Sequence, residues 1–158
     1  MRILAPLFAL ALLALPATAQ ETWSAYENPA FNYTVDIPPG FEGQGADANG
    51  SGETFLFDGR VGRLKIWASP LGASGFETES YGQLASDMAS GWGVTERSTT
   101  PTWATWSGAK KDRVLKQHMI ALCDGKAYAA LRFDYAQTDR SKFDPLVDQL
   151  VASLKADC

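Results

Sequence analysis

Three groups of residues in this chain have the types and spacing that chemistry needs. The first is Asp47-Ala48-Asn49-Gly50-Ser51-Gly52-Glu53, followed by Asp58. Oxygen ligands at Asp47, Asn49 and Ser51, Gly52 at the sixth place and an acid at the twelfth match the spacing of a twelve-residue calcium loop, and Glu53 adds a further carboxylate. Helices should flank such a loop, whereas residues 54–57 read as a strand. Gly, Asn, Ser and Asp are also what any connection uses to reach unusual backbone angles. A calcium-dependent binding module and a plain loop are both compatible with the pattern. The second group is His118, the single histidine. With a carboxylate it could serve a small secreted hydrolase. A Ser-His-acid triad, however, needs a serine poised beside the imidazole, and the chain carries no nucleophile elbow. A histidine metal site lacks a second nitrogen ligand. On a mostly apolar strand face, His118 reads as a core or rim residue, so no catalytic residue is assigned.

The third group is aromatic. Trp67, Trp92, Trp103 and Trp106 are many for this length. Trp103 and Trp106 differ by three and should face opposite sides of a strand. One can then lie on the surface, where indole anchors a partner; the other use is core filling. The carboxylates of Asp87, Asp112 and Asp134 carry no pairing signal and read as solvated. No Gly-rich turn is followed by the Lys-Ser/Thr that a phosphate cradle requires. Nothing in the sequence asks for a cofactor.

The two cysteines, Cys123 and Cys158, bear on compartment as much as on chemistry. In an exported chain two cysteines are most simply a pair, which would close a loop of about 36 residues and contribute about 4 kcal/mol in the chain-entropy model. A free buried Cys123 and a frayed C-terminal tail are the alternatives. Export itself is written at the start of the chain. Arg2 gives a positive n-region, residues 3–15 an apolar run, and Ala17-Thr18-Ala19 a small-residue cleavage site. The run is too short to span a bilayer and is closed by Pro16. Residues 1–19 are therefore expected to be a cleaved signal peptide, with residues 20–158 a single domain in the periplasm or outside the cell. Loss of Arg2 takes Lys+Arg from 14 to 13 against 18 Asp+Glu, a balance of −5 with no basic stripe. That charge argues against nucleic acid and anionic membranes as partners. A protein or small ligand of the periplasm is the expected partner.

The elements that must position these groups are mostly hairpins. Residues 114–135 read as one long hairpin around Asp124-Gly125, a strong signal for a type I′ turn. Ala127, Ala129, Leu131, Phe133 and Tyr135 alternate with polar or small residues, which makes a strand with one apolar face. This register sets His118 opposite Leu131. Phe31, Tyr33, Val35 and Ile37 give another strand, stopped by Pro38-Pro39-Gly40. Residues 23–26 form a short strand before it, and residues 54–57 and 61–68 flank Asp58-Gly59. Residues 43–52 read as a loop. The period shifts to 3.6 over residues 78–91, where Tyr81, Leu84, Met88 and Trp92 form an apolar stripe, Thr78 can cap and Gly91 can end the helix. A strand begins at residues 103–106. A final helix is expected with Asp144 as N-cap and Pro145 at its first position, burying Leu146, Val147, Leu150, Val151 and Leu154. The order is four strands, helix, three strands, helix, an α+β arrangement.

The run Tyr26-Glu27-Asn28-Pro29-Ala30-Phe31-Asn32-Tyr33-Thr34-Val35-Asp36-Ile37-Pro38-Pro39-Gly40-Phe41 resembles the opening of small secreted bacterial proteins of the PsbP-like superfamily. The resemblance continues in Asn49-Gly50-Ser51-Gly52-Glu53-Thr54-Phe55, Asp58-Gly59-Arg60 and Ile66-Trp67. It resumes in Leu122-Cys123-Asp124-Gly125, Phe143-Asp144-Pro145-Leu146-Val147 and Ser153-Leu154. It implies a single-domain α/β/α sandwich around a mostly antiparallel sheet. Members of that superfamily act by binding: one is an extrinsic subunit of photosystem II, another binds a nuclear GTPase. No catalytic set comes with the fold. Ser51 stands where related bacterial sequences often carry an acid, which weakens the calcium reading. The resemblance favours a non-catalytic periplasmic binding or accessory protein.

Overall fold

A computed structural model of the chain describes residues 22–158. The expected signal peptide and its cleavage site lie outside the described residues. The elements run β1 (Ser24–Asn28), β2 (Tyr33–Ile37), β3 (Phe41–Ala46), β4 (Gly52–Phe57), β5 (Gly62–Pro70), α1 (Gly75–Ala89), β6 (Gly93–Thr99), β7 (Trp103–Lys110), β8 (Arg113–Ala121), β9 (Ala127–Ala136), a 3₁₀ turn (Gln137–Asp139), α2 (Arg140–Ser153) and β10 (Lys155–Ala156). Seven strands form one antiparallel sheet in the order β3-β4-β5-β9-β8-β7-β6, and β1-β2-β10 form a second, smaller one. α1 covers one face of the large sheet. α2 and the small sheet cover the other. The architecture is the expected α+β sandwich, with three strands, β3, β6 and β10, that the sequence pattern does not announce.

Alternation along β9 divides the interior in two. Ala129, Leu131, Phe133 and Tyr135 point toward α2 and join Leu64, Ile66, Phe143 and Leu150 in one core. Tyr128 and Ala130 point toward α1 and join Trp106, Leu115, Met119, Phe76 and Leu84 in the other. Phe143 sits at the centre of an aromatic cluster with Phe41, Phe57, Phe133 and Tyr135 at centroid distances of 5.3–6.1 Å. Pairing of Gly52 with Trp67 brings the β4 backbone so close that a Cβ at Gly52 would lie 1.9 Å from the Ile66 carbonyl oxygen. Only glycine fits there.

The central hairpin holds the expected register, with His118 opposite Leu131, but not the expected turn. The Gly125 N–H donates to the Leu122 carbonyl, and Gly125 alone takes positive φ, at 68°. Asp124 keeps negative φ and uses its carboxylate to accept the Lys126 N–H. A type I turn followed by a left-handed glycine therefore replaces type I′.

Both helices depart from the expected phase. α1 starts at Gly75 and buries Phe76, Ser80, Leu84 and Asp87, while Tyr81 is 68% and Met88 52% exposed. Two buried polar residues, each with a hydrogen-bond partner, displace the apolar stripe by about one position. Gly91, at φ 91°, does close the helix, and its N–H bonds the Met88 carbonyl. α2 begins five residues before Pro145, at Arg140, so Asp144 is not its N-cap. Asp144 instead accepts the Tyr135 hydroxyl and the Arg140 guanidinium.

Cys123 and Cys158 form a disulfide, with Cα atoms 5.8 Å apart. It ties the chain end beside the β8–β9 turn, and β10 pairs with β2 just before it.

Candidate functional site

α2 lies over β5 and β9 and leaves the β6–β7–β8 end of the same sheet face uncovered. The result is a groove of ≈460 Å³ between helix and sheet. Val147, Val151 and Ala152 form its helical wall, and Ser98, Thr105 and Lys116 are among the residues of its floor. The apolar stripe of α2 is wider than the core it covers: Leu150 is fully buried, whereas Val147 and Val151 stay half-exposed and give the groove its apolar side. The floor is polar and ordered. The Thr105 hydroxyl donates to the Gln117 carbonyl at 2.9 Å, and the Lys116 ammonium to the Ser107 hydroxyl at 3.1 Å. Glu96 and Asp148 stand on opposite walls. A smaller extension of ≈130 Å³ shares Glu96, Ser107 and Lys116 and runs on to Arg140.

Trp103 stands two residues along β7 from Thr105, on the same sheet face, and is 38% exposed. Its ring lies 6.5 Å from that of His118. Trp106, on the opposite face as its spacing predicts, is 1% exposed and donates its indole N–H to Asp87 at 2.8 Å. Of the two candidate anchors, only Trp103 can meet a partner; Trp106 is core.

His118 stands opposite Thr105 and Leu131 at the edge of the floor. It is buried, and its Nδ1 has no hydrogen-bond partner among the described residues. Among the described residues no serine hydroxyl or carboxylate hydrogen-bonds to it, so they do not assemble around it the arrangement a hydrolase needs. Burial lowers the imidazole pKa below its usual value. The folded state therefore binds this proton less readily than the unfolded chain, and stability should fall as pH drops below about 6.5. In His118→Met, the decline in melting temperature between pH 7 and pH 5 is expected to be shallower than in the wild type. An unchanged slope would show that the imidazole stays as solvated as in the unfolded chain.

Of the calcium pattern, Asp47, Asn49 and Ser51 share one turn with Glu53 beside it, whereas Asp58 is set apart. β4 runs straight from Gly52 to Phe57, and at about 3.3 Å per residue this sets Asp58 about 20 Å from the Asp47 turn. The Asp47 carboxylate is spent locally, on the Ser51 N–H and the Ser51 hydroxyl, both at 2.7 Å. Burial raises its pKa, but these bonds and the Gly52 amide outweigh that and hold the carboxyl below its usual range. Glu53 accepts the Gly45 N–H. Asn49 lies in the same turn, and Ser51 is buried. Among the described residues no three acidic, histidine or cysteine side chains cluster as metal ligands. The pattern builds a turn, because the strand that follows it separates its two ends.

Two of the three carboxylates expected to be solvated are paired instead. Asp87 forms an ion pair with Arg132 at 2.9 Å, and Asp134 pairs with Arg113. Asp112 is exposed, as expected. The groove itself escaped the sequence reading, because its outer side, Glu96, Arg97 and Ser98, comes from β6, whose exposed polar residues show no strand pattern. The one sequence trace of it is the surplus width of the α2 stripe.

No protein-family model matches this sequence, and no curated protein matches it. Its fold does match solved structures. The solution structure of cyanobacterial PsbP (CyanoP) from Synechocystis sp. PCC 6803 superposes with a TM-score of 0.64 at 12% identity, over 92% of this chain and 98% of that one. The Ran-binding protein Mog1p of Saccharomyces cerevisiae gives 0.60 at 10% identity, over 87% and 96%. A Bacteroides thetaiotaomicron protein gives 0.51 at 13% identity, over 84% of this chain but 47% of its own. At such identities the likeness is one of fold. The chain has the α+β fold of PsbP and Mog1p.

Proposed function

We propose that this is a non-catalytic binding or accessory protein of the periplasm or the extracellular space, and that it holds a partner protein in the groove between α2 and β6–β8. The observation that carries the reading is the groove itself, an apolar helical wall over a polar floor, with the exposed indole of Trp103 outside its lining but two residues along β7 from Thr105 on the same sheet face. Exposed tryptophan beside a concave apolar surface is the composition of an interface anchor. β6 is the last strand of the sheet, and its pairing with β7 runs regularly from Glu96 to Thr99 beyond a bulge. Its outer edge has backbone groups to offer, so an extended segment of a partner suits the site. The disulfide and the leader sequence support an exported protein. The fold neighbours support a binding role, one of them by its description as Ran-binding.

The test is affinity capture from native periplasmic extract, followed by binding measurements with the purified partner. Trp103→Ala and Val151→Asp are each expected to weaken binding at least tenfold, about 1.4 kcal/mol. Wild-type affinity in both variants would move the interface elsewhere. A captured small molecule in place of a protein would keep the groove and change the class of partner.

A further inference from the structure

The sheet face under α1 carries a second concave site. α1 packs through Phe76 and Leu84 over Trp106, Leu115, Met119 and Ala130, which leaves the β3–β4–β5 end of that face bare. There Gln44, Thr54, Arg60, Arg63, Arg113 and Asp134 line a cleft of ≈630 Å³. Strand alternation puts the strand residues there, and Arg60 joins them from the β4–β5 turn. Leu64, Val114 and Phe133 point into the α2 core, so Arg63, Arg113 and Asp134 next to them point the other way.

One wall of the cleft is fixed. Arg113 binds the Asp134 carboxylate through Nε and Nη2, and its Nη1 donates to the carbonyls of Arg60 and Val61 at 3.4 and 3.3 Å. Arg60 and Arg63 are exposed, and among the described residues they form no ion pair. Arg63 stands opposite Asp134 across the strands, but that carboxylate is engaged by Arg113. Glu42, opposite Leu56, and Asp58, in the β4–β5 turn, are the other acids nearby, and neither pairs with these arginines. Three guanidinium groups thus share a cleft with one carboxylate, in a chain whose formal net charge is −4. Guanidinium is the planar, forked donor that fits a tetrahedral or carboxylate oxyanion. The Thr54 hydroxyl has no partner among the described residues and adds a neutral donor.

We propose that this cleft binds a phosphate-class oxyanion of two or more negative charges, gripped by Arg60 and Arg63 against the Arg113–Asp134 wall. The volume suits a diphosphate or a phosphate carried on a larger group. It lies on the sheet face opposite the groove and stands independently of it.

Titration calorimetry of the purified protein with inorganic pyrophosphate at low ionic strength should show one saturable site. Arg60→Gln/Arg63→Gln should weaken it at least tenfold with an unchanged melting temperature, since neither side chain is buried or paired. Lys65→Gln, one step along the same face of β5, should leave binding within twofold. Absence of saturable heat, or an equal loss in Lys65→Gln and the double variant, would overturn the proposal in favour of diffuse charge. Sedimentation with vesicles containing phosphatidic acid, whose phosphomonoester can carry two negative charges, but not with phosphatidylcholine vesicles, lost in the double variant, would assign the phosphate to a lipid headgroup. Pyrophosphate binding without vesicle binding would assign a soluble ligand.

Discussion

Replacing Cys123 and Cys158 by serine is expected to lower the unfolding free energy by about 4 kcal/mol and the melting temperature by roughly 10 °C. The bond joins residues separated by 35 in sequence, and closing that loop removes chain entropy from the unfolded state, which the serine variant regains. The native consequence is local. β10 contributes only two paired residues, Lys155 with Thr34 and Ala156 with Tyr33, and the Asp157 N–H bonds the Asn32 carbonyl. So short a strand does not hold itself. Amide exchange at residues 155–157 should accelerate in the serine variant far more than in β8 or β9, whose protection reports global unfolding. The same loss should follow reduction of the wild type. Leu154, at the end of α2, is buried in the core that positions the helix, so opening the end of the chain also loosens the helical wall of the groove. A variant within 1 kcal/mol of the wild type in denaturant unfolding would mean that the unfolded chain is already constrained without the bond.

The parts of the fold that could be read from the sequence are those where a single strand or helix carries its own pattern. β9 alternates over ten residues between the two sheet faces, and centring the hairpin on Asp124-Gly125 puts His118 opposite Leu131, as observed. β2 does the same over Tyr33, Val35 and Ile37. β3 and β6 are edge strands, exposed over nearly their whole lengths, and no apolar alternation exists to mark Glu42-Gly43-Gln44-Gly45 or Glu96-Arg97-Ser98. Each also carries a bulge that breaks whatever period remains. Both candidate sites depend on these strands. The groove needs β6, and the arginine cleft needs Gln44 of β3, so neither could be foreseen. Trp103 and Trp106 show the opposite case, since a spacing of three in a strand settles opposite faces whatever packs on them. The calcium spacing does not close on itself, because a linear spacing is only as good as the loop that bends it, and the strand over residues 52–57 sets Asp58 apart from the Asp47 turn.

The phase error in α1 has an energetic counterpart in Asp87→Ala, which is expected to destabilise the protein by about 3 kcal/mol. Apolar periodicity cannot show why an acid lies on the inner face of the helix, because its partners are distant in sequence. Asp87 Oδ2 accepts the Trp106 indole N–H at 2.8 Å and an Arg132 N–H at 3.1 Å, while Oδ1 lies 2.9 Å from the same guanidinium. Arg132 in turn lies over the Trp92 ring at 5.7 Å and reaches the Gln117 side-chain oxygen at 3.4 Å. Truncation leaves a fully buried indole N–H and a half-buried guanidinium without their acceptor, and stranding such groups costs more than the net worth of the bonds. Two variants separate the contributions. Asp87→Asn keeps an oxygen for Trp106 and should cost about 1 kcal/mol less than Asp87→Ala. Asp87→Leu combined with Arg132→Met removes the stranded charge and should recover part of the loss, leaving the cost of the unpaired indole. Denaturant unfolding measures all three. If Asp87→Ala lies within 0.5 kcal/mol of the wild type, the carboxylate is not what holds α1 to β7 and β9, and the helix is set by Phe76, Leu84 and the Gln83–Tyr128 hydrogen bond.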